Sequence, residues 1–265
     1  MPTVNQRVEA IRDLRQGIGD RRLWLRLAWL DIRQRYRRST LGPFWLTLSM
    51  GITVVALGVV WGSLFGADMS EFLPFLATGL ILWGFVSSVL IDSCTVFIGA
   101  QSIIKEIRLP LITYVLRMIT RNAIIMAHNA AVLVGVYLFF GHAPSLAWFA
   151  AIPGLAILAW NAIWVGGVLG LVNTRYRDVQ PVVQSLITPA FLITPIMWQP
   201  EMLPERALLL HVNPFFATIE VIRAPLLGKI PAFSTWLLAV AVPLAGSAIA
   251  FTLFARYRRR VAFWL

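Results

Sequence analysis

The chain has 265 residues, 58% of them hydrophobic and 13% charged, with a mean hydropathy of +0.75, more apolar surface than a soluble core of this size can hide. Lys and Arg outnumber Asp and Glu 23 to 12, and the excess is clustered, so it marks topology rather than an evenly solvated surface. Cys94 is the only cysteine, which excludes an internal disulfide framework and any multi-cysteine metal or iron–sulfur centre.

Residues 1–43 form an N-terminal arm expected to be cytoplasmic. Its start is polar and arginine-rich with no apolar stretch, so no cleavable signal peptide is expected and the first span directs insertion. Within the arm, residues 20–38 carry Leu, Trp and Ile at helical spacing. Arg22, Arg26, Arg33 and Arg37 fall on one stripe, with Leu23, Leu27 and Leu30 on one side of it and Leu25, Trp29, Ile32 and Tyr36 on the other. This pattern suits a helix in the cytoplasmic headgroup layer, held by apolar burial and by anionic membrane lipids. Gly42 and Pro43 stop it. The plainer alternative is a charged flank that only orients the first span. A nucleic-acid role is not expected, because no soluble domain would carry it.

A hydrocarbon core about 30 Å thick needs about 20 apolar residues of helix. Residues 44–265 form the transmembrane domain, with such runs at 44–65, 72–98, 116–140, 148–172, 182–198 and 233–254. The fifth is short and interrupted by Pro189 and Pro195, which makes it a kinked span packed inside a bundle. The segment 199–231 is amphipathic and divided by prolines into pieces too short to span. It is expected to re-enter as two short helices, about 205–212 and 215–226, with Glu220 and Arg223 paired across one turn near the membrane interface. The expected fold class is therefore an all-α integral membrane protein with six transmembrane helices, an N-terminal amphipathic interface helix and short re-entrant helices before the sixth span.

Charge fixes the orientation, since short cytoplasmic loops retain Lys and Arg. Ten arginines precede the first span, and the loop 66–71 has acids but no base. Lys105, Arg108, Arg117 and Arg121 surround the next loop, only His142 lies in the following turn, and Arg175 and Arg177 follow the fourth span. Arg256, Arg258, Arg259 and Arg260 follow the sixth, which places both termini inside.

Four short motifs resemble one family. They are Arg35-Tyr-Arg-Arg-Ser-Thr-Leu-Gly-Pro-Phe-Trp45, Ile104-Lys-Glu-Ile-Arg-Leu-Pro110, Asn173-Thr-Arg-Tyr-Arg-Asp-Val179 and Asn213-Pro-Phe215. In order and position they are similar to the membrane subunits of ABC exporters for lipid-linked polysaccharides such as O-antigen, capsule or teichoic acid, members of the type 2 ABC permeases. The resemblance implies an interface helix at 20–38, an ATPase-coupling helix at about 99–116 carrying Lys105, Glu106, Arg108 and Pro110, and re-entrant helices at 199–231. It also implies a homodimer in the bacterial inner membrane, two separate ABC ATPase subunits holding ATP and Mg, and a polyprenyl-linked glycan as substrate. Arg33, Arg35, Arg37, Arg38, Leu41 and Gly42 lie where a lipid pyrophosphate would be admitted from the cytoplasmic leaflet, and Arg forks suit phosphate. Trp83, Trp160 and Trp164 lie deep in spans, where rings could stack on sugars, and Asn213, Pro214, Glu220 and Arg223 belong to a candidate external gate.

The residues also restrict the chemistry. The chain has two lysines, and neither Lys105 nor Lys229 stands in a phosphate-cradling G-x-x-x-x-G-K-[ST] loop, so no ATP hydrolysis is expected of this chain and it should bind no cofactor itself. His128, His142 and His211 are far apart, so neither a metal nor a catalytic set is expected. His128 with Asn129 suggests an interhelical hydrogen bond, and Asp92 suggests pairing with an arginine among residues 117–121. Gly166 and Gly170 suggest close helix packing. An ABC permease for a drug, lipid or haem is the alternative function. A polyprenyl-lipid transferase would need clustered acids or histidines at one membrane face, which are absent. The alternation of charge predicts that reporter fusions at Ser70 and His142 read external and those at Lys105 and Arg177 cytoplasmic, and one reversed site breaks the six-span topology.

Overall fold

A computed structural model describes residues 2–37, 42, 44–202, 210 and 212–265, and among them every regular element is helical. In chain order these are α1 (Val4–Gly19), α2 (Arg21–Tyr36), α3 (Phe44–Phe65), α4 (Met69–Thr95), α5 (Gln101–Glu106), α6 (Leu111–Phe140), α7 (Ala151–Arg175), α8 (Val179–Ile193), α9 (Pro214–Leu226), α10 (Phe233–Tyr257) and α11 (Val261–Trp264). Five segments are long and apolar enough to cross a membrane, and α8 is a shorter apolar helix.

Local chemistry explains most helix ends. Thr3 and Gln6 form a reciprocal capping box at the start of α1. Asp68 accepts the Ser70 N–H at the start of α4, and that bond holds its carboxyl below the usual carboxylate range. Asn213 caps α9, with Pro214 at the first turn, where its missing N–H costs no hydrogen bond. Gly141 ends α6 at φ +69°, a left-handed conformation glycine adopts without strain.

The expected boundaries shift at several places. The second span begins at Met69, because Asp68 caps it there, and it ends at Thr95. The third begins at Leu111 rather than 116, so the last residues of the expected coupling segment belong to a transmembrane helix. The fourth is continuous to Arg175. The fifth starts at Val179 and stops at Ile193, since the freed chain at Thr194 and Pro195 turns back into the protein. The expected helix at 205–212 lies outside the described residues apart from Leu210 and Val212, and the expected 215–226 helix is α9. An additional helix, α1, precedes the expected interface helix.

Helix α4 forms the axis of the bundle, packing against α3, α6, α7, α8 and α9. Small residues allow these approaches. A Cβ on Gly166 would meet Val115 at 2.6 Å, and one on Gly170 would meet Val96 at 2.6 Å, so both glycines are packing positions. Gly58 and Gly62 of α3 lie as tightly against Leu73 and Met69 of α4.

Contacts sort the helix ends onto two faces. At one face, Glu9 of α1 pairs with Arg258 and Arg259, Asp13 meets the start of α6, and Arg177 donates to the Trp264 carbonyl. At the other, the Tyr137 hydroxyl near the end of α6 donates to the Leu226 carbonyl, and α9 packs on the turn before α7. The chain leaves the first face after α7 and returns to it along α10, so α8 must carry it to the second face. Fifteen residues of helix rise only about 22 Å, less than the hydrocarbon core, and the non-helical residues after Ile193 complete the crossing. The protein is thus an all-α membrane protein with about six spans.

Gly154 of α7 is pressed on α9, where an added Cβ would lie 2.7 Å from the Val221 carbonyl oxygen. Gly154→Ala should cost about 1–3 kcal/mol, read by SDS unfolding in mixed micelles; unchanged stability would contradict this α7–α9 contact.

Candidate functional site

At the first face, the arm is tied to the bundle by charge. Helix α2 buries Ala28 and Ile32 against α6 and leaves Leu25, Trp29 and Leu30 exposed. Ile32, expected on a lateral apolar face, is thus a protein contact. Beside it Asp31 accepts a two-pronged bond from Arg117, at 2.7 Å from Nε and 2.5 Å from Nη2. Arg121 reaches Asp31 at 3.7 Å and Asp92 at 2.8 Å, and Asn122 donates to the same Asp92 oxygen at 2.9 Å. Asp92 therefore has the arginine partner its position required, and the chain Arg117–Asp31–Arg121–Asp92 links α2, α6 and α4 around a polar pocket of about 130 Å³. Asp31 itself was not legible as an anchor; its signal was an acid on the apolar side of a basic helix.

A second charged junction fixes the start of α6. Pro110 precedes that helix and supplies no side-chain cap, so the Leu111 and Ile112 N–H groups donate instead to the Asp13 carboxylate, at 3.3 and 3.5 Å. Arg258 stands 3.6 Å from the same carboxylate. Burial pushes the Asp13 carboxyl up, against a smaller opposing pull from Arg258 and the two N–H groups. Half-buried Glu9 is held below its ordinary range chiefly by its bond from Arg259.

The expected coupling residues lie next to this junction. Lys105 and Glu106 end the six-residue α5, and with Ile107 and Arg108 they are exposed, whereas Pro110 is buried against α1. Of the expected substrate-admission residues, Arg33, Arg35 and Arg37 are exposed on or just after α2, and Gly42 adopts φ +54°. Arg38 and Leu41 lie outside the described residues.

At the second face, α9 is clamped. Asn213 also donates to the Thr194 hydroxyl, at 3.2 Å. Arg223 is fully buried: it binds Glu220 at 2.5 Å, donates to the Pro195 carbonyl at 2.6 Å, and lies 3.9 Å from the centre of the Phe75 ring. The expected Glu220–Arg223 pair is present, and Arg223 is enclosed by protein, because the backbone freed after α8 offers it an acceptor.

The deep tryptophans occupy distinct settings. Trp83 is buried between the Phe191 and Phe215 rings, so it joins α4 to α8 and α9. Trp160 donates to Ser247 and Trp164 to Asn161, and Trp164 lines an apolar cavity of about 180 Å³ between α4, α7, α9 and α10. The His128 ring bonds the Ile124 carbonyl of its own helix, and the interhelical bond is made instead by Thr47 donating to the His128 carbonyl. The described residues hold no cluster of His, Cys, Asp or Glu suited to a metal.

One feature escaped the sequence reading. Helix α8 buries no residue, and on its exposed side Val182, Leu186 and Ile193 form an apolar strip, whereas Gln184, Ser185 and Thr188 form a polar one that gives way to exposed Leu192 one turn beyond Thr188. Ser185 bonds back to the Pro181 carbonyl, while the Gln184 and Thr188 side chains have no hydrogen bond among the described residues. Polar groups at membrane depth face protein or a water-filled cavity, not lipid. The sequence signal was the spacing of Gln180, Gln184 and Thr188 at four-residue intervals in a span.

Residues 22–227 match the profile of the family described as "ABC-2 type transporter". Two O-antigen export system permease proteins RfbA of Klebsiella pneumoniae are 26% and 25% identical over 193 residues, covering 71% of this chain and 74% of each relative. One of the same name from Myxococcus xanthus is 20% identical over 222 residues, 82% of this chain and 84% of the relative.

Asp31→Asn should strand Arg117 beside α2 and cost about 1–3 kcal/mol, whereas replacing Asp31 and Arg117 together with Leu should cost less than the single change. SDS unfolding of the three proteins compares them; a double variant weaker than Asp31→Asn would deny the pair its anchoring role.

Proposed function

Since the chain belongs to the ABC-2 type transporter family, we propose that it is the channel-forming subunit of an ATP-driven exporter that moves a polyprenyl-linked, O-antigen-like polysaccharide across a bacterial inner membrane. Two copies would enclose the path, with both termini in the cytoplasm and two separate ABC ATPase subunits supplying hydrolysis with their own ATP and Mg. The names of the relatives support the cargo class, and the lack of a phosphate-cradling lysine loop supports separate ATPases.

The observation that carries this reading is the polar strip of α8. Gln184 and Thr188 need water or a second polar surface, and the described residues of one copy give their side chains no hydrogen-bond partner. In the exporter they would line the path or its seam between copies. The exposed Lys105, Glu106 and Arg108 would meet the ATPase beside the Asp13 junction, and Arg33, Arg35 and Arg37 would meet the lipid pyrophosphate. The clamp of Asn213, Pro214, Glu220 and Arg223 would hold α9 as the floor of the external outlet.

Cysteine reactivity tests the central step. In a Cys94→Ser background, Gln184→Cys and Thr188→Cys should react with a membrane-impermeant maleimide or crosslink between copies, and Leu186→Cys on the apolar strip should do neither. Equal behaviour of the three positions would refute a polar path along α8.

A further inference from the structure

Beyond the features assigned to export, the final turns of α7 and α10 and the short α11 enclose a pocket of about 400 Å³ at the arginine-rich face. Its size is within the range of ligand sites, and its walls are of two kinds. Leu171 and Leu253, from the spans themselves, line its deep side, and Arg175 and Arg260 stand at its rim with Tyr257 and Trp264. Like most arginines of this face, Arg175 and Arg260 form no ion pair among the described residues, so both guanidiniums keep their charge uncompensated by a carboxylate. Aromatic rings hold them instead: the Arg175 guanidinium lies 5.6 Å from the centre of the Trp264 ring, and that of Arg260 lies 6.0 Å from Tyr257. The Tyr257 and Trp264 rings sit 5.7 Å apart, and Arg177 donates to the Trp264 carbonyl, so α11 is fixed beside the opening.

We propose that this pocket binds the headgroup of an anionic phospholipid, with Arg175 and Arg260 on its phosphate and the start of an acyl chain along Leu171 and Leu253. Two guanidiniums without carboxylates can each give a forked, charge-assisted pair of hydrogen bonds to phosphate oxygens. The apolar wall selects an amphiphile, since a free phosphate would use the rim alone. Anionic headgroups also gather where basic residues meet the membrane surface. Leu253, Tyr257, Arg260 and Trp264, half of the eight residues that line it, lie beyond residue 227, where the family match ends.

The full chain reconstituted in phosphatidylcholine nanodiscs, with a trace of photoactivatable phosphatidylglycerol or of photoactivatable phosphatidylcholine, tests the site. The anionic probe should label peptides containing Arg175 or Trp264 about ten-fold more than the zwitterionic one. Arg175→Gln with Arg260→Gln should reduce that labelling to the zwitterionic level, and Lys at both positions should retain most of it. Should the double Gln variant fail to reconstitute, the two single Gln variants carry the comparison. Equal labelling by the two probes, or labelling indifferent to the Gln changes, would overturn the site, and loss of labelling to millimolar inorganic phosphate would assign it to a free anion instead. The measurement contains no transport step, so it stands apart from the export reading and its own test.

Discussion

Lipid offers no hydrogen bonds and little charge solvation, so a helix end or ionised group buried at the bilayer is stabilised by a partner within the protein. Four carboxylates meet that demand here, and they organise the bundle. Asp13 caps a helix that its own neighbours leave uncapped, Asp31 receives Arg117, Asp92 receives Arg121, and Glu220 receives the fully buried Arg223. Three of the four act between helices distant in sequence. Removing one partner would leave a guanidinium or a pair of N–H groups stranded at low dielectric, which costs more than the pair itself contributes.

These anchors divide the molecule mechanically. At the arginine-rich face, α1, the start of α6 and the end of α10 converge on Asp13 and Glu9, and α2 is fastened to α6 through Asp31. The exposed end of α5 at Lys105 and Glu106 leads through residues 107–109 and buried Pro110 into this junction. Under the proposed function, a load applied at α5 would therefore reach the third span and the interface helix through the four-residue connector that ends at buried Pro110.

Much of this was legible in the sequence, for physical reasons that also explain the rest. Long apolar runs and alternating basic loops follow from bilayer thickness and charge, so the span count, the α9 helix and the Glu220–Arg223 pair were readable locally. Boundaries were less so. The start of α6 at Leu111 depends on Asp13, which lies 98 positions away for its bond to Leu111, and no local pattern announces such a cap. The full burial of Arg223 was not legible, because its acceptor at Pro195 appears only when the chain turns back after α8. Periodicity placed Ile32 with other apolar residues of the arm but gave no account of Asp31 beside it, whose partner comes from another span.

Helix α8 departs from this scheme, and its departure is informative. It is the shortest crossing element, contains Pro189, and buries none of its own residues, whereas neighbouring α4 buries most of its length. A helix held by so little packing within its own chain has low resistance to displacement unless another surface completes its contacts. Its two exposed strips state what those contacts must be. Val182, Leu186 and Ile193 suit lipid or an apolar neighbour, and Gln184 and Thr188 do not. Both ends are nevertheless fixed: Asn173 accepts the Gln180 N–H at one end, and at the other Arg223 grips Pro195 while Asn213 bonds Thr194. A short helix secured at its ends, packed on α4 along one side through Ile187 and Phe191 and left with an unburied, partly polar side between the anchors, matches what the wall of a path through a membrane requires.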